Sequence, residues 1–294
     1  MPDSNPLNPE LSTWRLTLAY DGADFQGWQV QPGLSTIQGE LQAAIGRITG
    51  ESPLPQGSGR TDAGVHALAQ VASFQLLAPI PPENLLRALN RTLPPSIRVS
   101  EAKTVQSTFH ARHSAIAKTY EYRVFPQWDR PDCSPFLARY VYCFPWALDF
   151  ELLQASARLF LGEHDFQSFA ATDPDLAHRS PDPPTAPFLD RKNATRTTFS
   201  SEWQERPAEG TNLLVYRVRG NGFLHHMVRN LVGTMLDVGR GRLSLEEIPR
   251  ILATRSRSAA GPTAPACGLF LVSVEYPPEG SPLSPIPQSL VPSP

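Results

Sequence analysis

The 294 residues carry 26 lysines and arginines against 28 acids, a formal charge of −2, and 40% of them are hydrophobic. That length suits two domains, and the near-neutral sum argues mildly against a nucleic-acid partner, whose domains are usually basic. Three scattered cysteines (Cys133, Cys143, Cys267) exclude a disulfide framework or thiolate zinc site, and with neither a signal-like leader nor a membrane-length apolar run, a soluble cytoplasmic chain is expected.

Residues 1–12 hold three prolines and little apolar matter, so a loose tail is expected there. Alternation over 14–20 puts Trp14, Leu16, Leu18 and Tyr20 on one face of a strand, and Asp21-Gly22 turns the chain after it. Ser35-x-x-Gln38 reads as a capping box opening a helix whose apolar stripe is Ile37, Leu41, Ile45 and Ile48 and whose end is Gly50. A strand over 70–76 follows. Pro81-Pro82 then starts a short helix through Leu85, Leu86 and Leu89.

Residues 120–125 alternate aromatic and polar and predict a strand. Asp149 caps a helix through Leu152, Leu153, Ala157 and Phe160, ended by Gly162. Residues 172–192 contain five prolines without periodicity and read as a surface loop or insertion. Strands over 195–203 and 213–219 lead to a helix over 223–238, with Phe223, Met227, Leu231, Met235 and Val238 on one stripe. A basic loop over 238–242, a helix over 245–253 and a strand over 269–276 complete the ordered part. The tail 277–294, with seven prolines, is expected to be disordered. The order strand, helix, strand, helix appears in 13–115 and again in 116–276. It predicts an α+β chain of two similar lobes, each a mainly antiparallel sheet with helices packed on it, and a ligand cleft between them.

The most informative stretch is Gly57-Ser58-Gly59-Arg60-Thr61-Asp62-Ala63-Gly64-Val65-His66. Three glycines in eight residues allow tight turns and close approach to a ligand. Gly59-x4-Gly64 has phosphate-loop spacing, but Val65-His66 stands where Lys-Ser/Thr is required. Gly57-x-Gly59 begins like a dinucleotide fingerprint, but Asp62 occupies the third glycine position. Both readings fail. An arginine two positions from a carboxylate could keep that acid ionised, or could hold a phosphate bidentately. His66, four after Asp62, raises an Asp–His hydrolase; in a non-helical loop that spacing says nothing about proximity, and a hydrogen-bonded structural histidine is favoured.

Gly59-Arg60-Thr61-Asp62-Ala63-Gly64-Val65-His66-Ala67, with Gln70-Val71 and Phe74, closely resembles the signature of the tRNA pseudouridine synthase A family. Six further pieces match in order: Asp21-Gly22 with Phe25-Gln26-Gly27-Trp28-Gln29, Phe109-His110-Ala111-Arg112, Lys118-Thr119-Tyr120-Glu121-Tyr122, Gly162-Glu163-His164-Asp165-Phe166, the run from Asn221 to Gly233, and Gly268-Leu269. The resemblance covers roughly residues 14–276. It implies the two-lobed pseudouridine synthase fold, a homodimer, and isomerisation of uridine at positions 38, 39 and 40 of the anticodon stem-loop of tRNA.

By that resemblance Asp62 is the catalytic carboxylate, able to attack carbon as a nucleophile or to remove a ribose proton. Arg60 becomes a site residue. Tyr120 becomes the active-site tyrosine that stacks on an extruded base, with Tyr122 as the core candidate on the same strand face. Arg229 is placed beside the carboxylate and Leu269 near the target base. His225-His226 are expected to diverge by about 100° on a helix and so to make no metal pair. Neither metal nor organic cofactor is expected. Between Tyr216 and Ala260 eight arginines face three acids, a local excess of five, from which Arg240 and Arg242 are expected to meet RNA phosphates. The competing reading is an RNA-binding protein or chaperone using the same basic cleft without chemistry.

Overall fold

A computed structural model describes residues 11–127, 133–171, 194–208 and 211–278. The expectations for residues 1–10, for the 172–192 insertion and for 279–294 lie outside the described residues. The chain divides into two compact units, the first ending at Ala115 and the second running from Ile116 to Tyr276. Both are mixed α+β with mainly antiparallel strands, six α-helices being present among the described residues.

In the first unit, strand β1 (Ser12–Tyr20) is central, flanked by β3 (His66–Leu76) and β4 (Ile97–Val105), both antiparallel to it. A two-residue strand β2 (Gln56–Gly57) pairs with β3. The register sets Trp14 opposite Phe74, Leu16 opposite Ala72 and Leu18 opposite Gln70, so one apolar face forms as the alternation predicts. Trp14, Leu16 and Leu18 are at most 1% exposed. Helices α1 (Ile37–Thr49) and α2 (Pro82–Thr92) supply Leu41, Ile45, Leu85 and Leu89 to this core. Burying each such side chain stabilises by about 1.5–3 kcal/mol.

The cap of α1 differs from the expectation by one residue. Thr36, not Ser35, accepts from Gly39 N, and Gln38 does not reach back to complete a box. Its amide instead accepts from Val30 N and donates to Pro55 O, pinning two loops to the helix start. The strand expected over 70–76 begins at His66, and β4 went unpredicted because its polar residues break the alternation.

The second unit orders its strands β10–β5–β9–β8–β7: β5 (Ala117–Pro126), β7 (Gly162–Asp165), β8 (Thr195–Ala208), β9 (Thr211–Gly220) and β10 (Leu269–Glu275). A short β6 (Tyr142–Phe144) runs parallel to the end of β5, after the four-residue helix α3 (Pro135–Ala138). One face, carrying Tyr122, Trp203, Tyr216 and Leu271, is buried under α4 (Phe150–Arg158) and α5 (Met227–Gly239). Gln154 of α4 grips both backbone groups of Trp203, while the indole N–H of Trp203 points at Met235 Sδ, 3.4 Å away. Helix α6 (Glu247–Thr254) follows.

Helix α5 corrects the expectation twice. It starts at Met227 rather than Phe223, because His226 takes a left-handed conformation, φ 59°, that breaks the turn before it. It also buries every side rather than one stripe: of its thirteen residues Arg229 alone is not buried. Gly233 makes this possible, since a Cβ there would collide with the Pro262 carbonyl.

Candidate active site

The glycine-rich loop of the first unit is held from beneath by neutral polar groups. Gln70, wholly buried on β3, donates to Gly59 O at 2.9 Å and to the Tyr20 hydroxyl at 3.3 Å. Its amide oxygen accepts from Ser58 Oγ at 2.6 Å. The Tyr20 hydroxyl also shares a hydrogen bond with Thr61 Oγ1, 2.8 Å away. Burial pushes the Tyr20 hydroxyl up to about 12, so this group stays neutral at any physiological pH. The Thr61 carbonyl accepts from Trp28 N, Gly64 N donates to Phe25 O, and Val65 N closes a turn onto Asp62 O.

Glycines make these approaches possible. Gly27 has φ 83°, and a Cβ there would stand 2.6 Å from Thr61 O and 3.1 Å from Ala63 N. At Gly57 a Cβ would meet the Trp28 ring at 2.6 Å. The Phe25-Gln26-Gly27-Trp28 segment therefore packs directly on the loop, and Asp62 is half-buried at its centre while Arg60 is exposed. His66 opens β3 with Nδ1 at 3.1 Å from both Gly22 N and Asp21 Oδ1. It ties the Asp21-Gly22 turn to the strand, the structural part expected of it.

In the second unit Tyr120 and Tyr122 lie on one face of β5, as read. Tyr122 is fully buried, its hydroxyl donating to Pro265 O at 2.8 Å, and burial holds it well above its ordinary range. Tyr120 keeps 8% exposure, with the Phe223 ring against it edge to face at 5.1 Å. Arg229 Nε donates to Ala264 O at 2.7 Å, and Arg229 O accepts from Ala264 N. Arg229 and Tyr122 thus grip consecutive carbonyls of one strap, whose Gly268 lies so close to the Tyr122 ring that a Cβ would reach it at 2.8 Å. Leu269, 6% exposed, leaves this strap to pair with Tyr122. Arg229 and Leu269 are therefore connected through the strap that Tyr122 holds, while Tyr120 stands two residues before Tyr122 on the same strand.

Beneath Arg229 the wholly buried Asn230 donates to Phe169 O and accepts from Arg257 and Thr263. His225 and His226 do not diverge as expected, because neither lies within the helix. Their rings stack with centroids 4.0 Å apart, so the geometric ground for setting them aside as a metal pair does not hold.

Several arginines of the 216–260 stretch are engaged by acids. Arg240 is 12% exposed, paired with Asp237 at 2.6 Å and laid over the Trp146 ring at 4.5 Å. It is a packing residue rather than an open phosphate contact. Arg219 pairs bidentately with Glu275, Arg255 with Asp165, and Arg217 lies 3.8 Å from Glu121. Three of those acids lie outside the 216–260 window, so a local count overstates the basic excess. Arg242 and Arg250 remain exposed.

Two residues of this site went unassigned in the sequence, Gln70 and Phe223. The signal for Gln70 was an amide on the apolar face of a strand, which burial obliges to find partners. Phe223 gave none, being indistinguishable from a helix-core position.

The chain matches the tRNA pseudouridine synthase family over residues 17–114 and 156–277, most of its length. It belongs to that family. Arg60 and Asp62 fall in the first matched segment, Arg229, Arg240, Arg242 and Leu269 in the second, and Tyr120 between the two. A tRNA pseudouridine synthase A from Solibacter usitatus is 51% identical, covering 89% of this chain and 98% of its own length. Proteins of the same name from Moorella thermoacetica and Methylacidiphilum infernorum are 43% and 40% identical, over 89% and 93% of this chain and 98% and 99% of theirs. No helix among the described residues is long and apolar enough to cross a membrane.

Proposed function

We propose that this chain isomerises uridine to pseudouridine in tRNA, with Asp62 as the catalytic carboxylate. The observation that supports it most is the mounting of Asp62: a carboxylate on a loop whose backbone is fixed by Gln70 and the 25–28 segment and whose Thr61 side chain is held by Tyr20. Catalysis by positioned groups needs that rigidity, since misplacement by about 1 Å can cost a hundredfold in rate.

The reaction breaks the N1–C1′ bond, turns the uracil and forms a C5–C1′ bond; C5 loses a proton and N1 gains one. Nothing is oxidised and no water is consumed. Asp62 serves it by attacking carbon or by taking a ribose proton, and both roles require the ionised form. Tyr120 offers a flat ring for the extruded base, and Leu269 an apolar neighbour for it. Arg60 and Arg229 supply positive charge for the carboxylate and the RNA.

The targets in this reading are uridines 38, 39 and 40 of the anticodon stem-loop, the enzyme is a cytoplasmic homodimer, and Arg242 meets the phosphate backbone. Recognition then rests on tRNA shape, since base edges in an RNA helix are poorly accessible. Incubating the protein with unmodified tRNA and mapping the product tests this. Pseudouridine in the anticodon arm is expected; binding without modification would favour the RNA-chaperone alternative, and strand cleavage a hydrolase.

A further inference from the structure

We infer that Phe223 is a positioning residue: its ring fixes the plane of the Tyr120 side chain and so sets the rate of the chemical step. This rests on the reading of Tyr120 as a base-stacking residue. The Phe223 ring meets that of Tyr120 at 5.1 Å and 79°, the edge-to-face arrangement aromatic pairs prefer.

The backbone around Phe223 is built to hold it there. Asn221 N donates to Thr197 O, and Asn221 Oδ1 accepts from Thr197 N at 3.0 Å, so the chain leaving β9 is locked to β8 by two bonds. Gly220 clears the space: a Cβ there would lie 3.3 Å from Phe223 Cζ and 2.8 Å from Thr197 O. On the far side, Leu224 O accepts from Met227 N and the left-handed His226 stops the helix short. Had the helix run on to Phe223, as the apolar spacing predicts, the ring would have joined the α5 stripe. The break gives it to Tyr120 instead. Being half-buried, Phe223 adds less to the core than Met227 or Leu231. Strain and locking at a segment of modest packing value are the marks of a functional arrangement.

An aromatic edge constrains a ring plane, whereas a branched aliphatic of similar bulk fills space without fixing orientation. Phe223→Leu should therefore fold, with a melting temperature within a few degrees of wild type, and bind tRNA with unchanged Kd. Its single-turnover rate should fall by roughly ten- to a hundredfold, the scale of an ångström-sized misplacement. Phe223→Tyr, which keeps the ring edge, should stay within about threefold of wild type. In a Tyr120→Leu background, Phe223→Leu should cause little further loss, because the residue it orients is gone. A wild-type rate in Phe223→Leu, or equal losses in the presence and absence of Tyr120, overturns the inference. A wild-type rate in Tyr120→Leu alone is a different failure, and removes the reading of Tyr120 beneath it. Should Phe223→Leu fold poorly, Phe223→Met carries the same expectation.

Discussion

At the scale of single residues, little room surrounds the Asp62 loop. Gly27 occupies the left-handed region with Thr61 O and Ala63 N in the path of any side chain. Gly27→Ala should therefore cost about 1–3 kcal/mol of stability and slow turnover by displacing the loop. Thermal melting and single-turnover rate, measured on the same preparation, check it. Unchanged values in both would mean that the 25–28 segment does not set the loop. Much of this site was legible, because glycines and a carboxylate in ordered spacing stand out in any sequence. Gln70 was not, since its role depends on partners twelve and fifty residues away.

At the scale of elements, what could be read was periodic and local. Helix α1 showed because Ile37, Leu41 and Ile45 repeat at helical spacing before a left-handed Gly50. The start of α5 was misread because a non-glycine residue at positive φ leaves no mark in a sequence. Strand β5 was legible as an element, but the charge network around its buried Glu121 was not. Glu121, 3% exposed, receives Arg206 bidentately at 2.9 Å and Arg123 at 2.8 Å. Burial alone would raise its carboxyl, but hydrogen bonds from Arg206 and then Arg123 outweigh that and hold it below its ordinary value. A depressed carboxyl stabilises the fold at pH above the unfolded value and loses that contribution as pH falls through the folded one. Stability of wild type should thus decline below about pH 4.5 more steeply than that of Glu121→Gln. Denaturant titrations from pH 7 to 3 check this, and parallel profiles would mean that the network contributes nothing.

At the scale of the whole molecule, a formal charge of −2 beside the family's polyanionic substrate makes the placement of each cation decisive. Most arginines of 217–257 are held by acids or carbonyls, which a count along the chain cannot reveal. Arg240 and Arg242, two residues apart, should accordingly behave differently. Arg242→Glu should weaken tRNA binding and reduce the salt slope of the log binding constant by about 1–2, as for lost phosphate contacts. Arg240→Glu should lower the melting temperature instead, since it sets a second acid against Asp237 and removes the cation from Trp146. Equal effects from the two would show that the packing of Arg240 is misjudged.

The central claim is chemical, and Asp62→Asn tests it most directly. Asparagine keeps the shape and hydrogen-bonding reach of the aspartate but removes the charge and the reactive oxygen. Single-turnover pseudouridine formation should fall by several orders of magnitude, roughly 10³-fold or more, because a group acting in the bond-making step has no substitute in the loop. A tRNA-binding titration on the same preparation should give wild-type or tighter affinity, a negative charge facing a polyanion having been removed. Lost turnover with retained binding is the predicted result; near-wild-type turnover in the asparagine variant would contradict it.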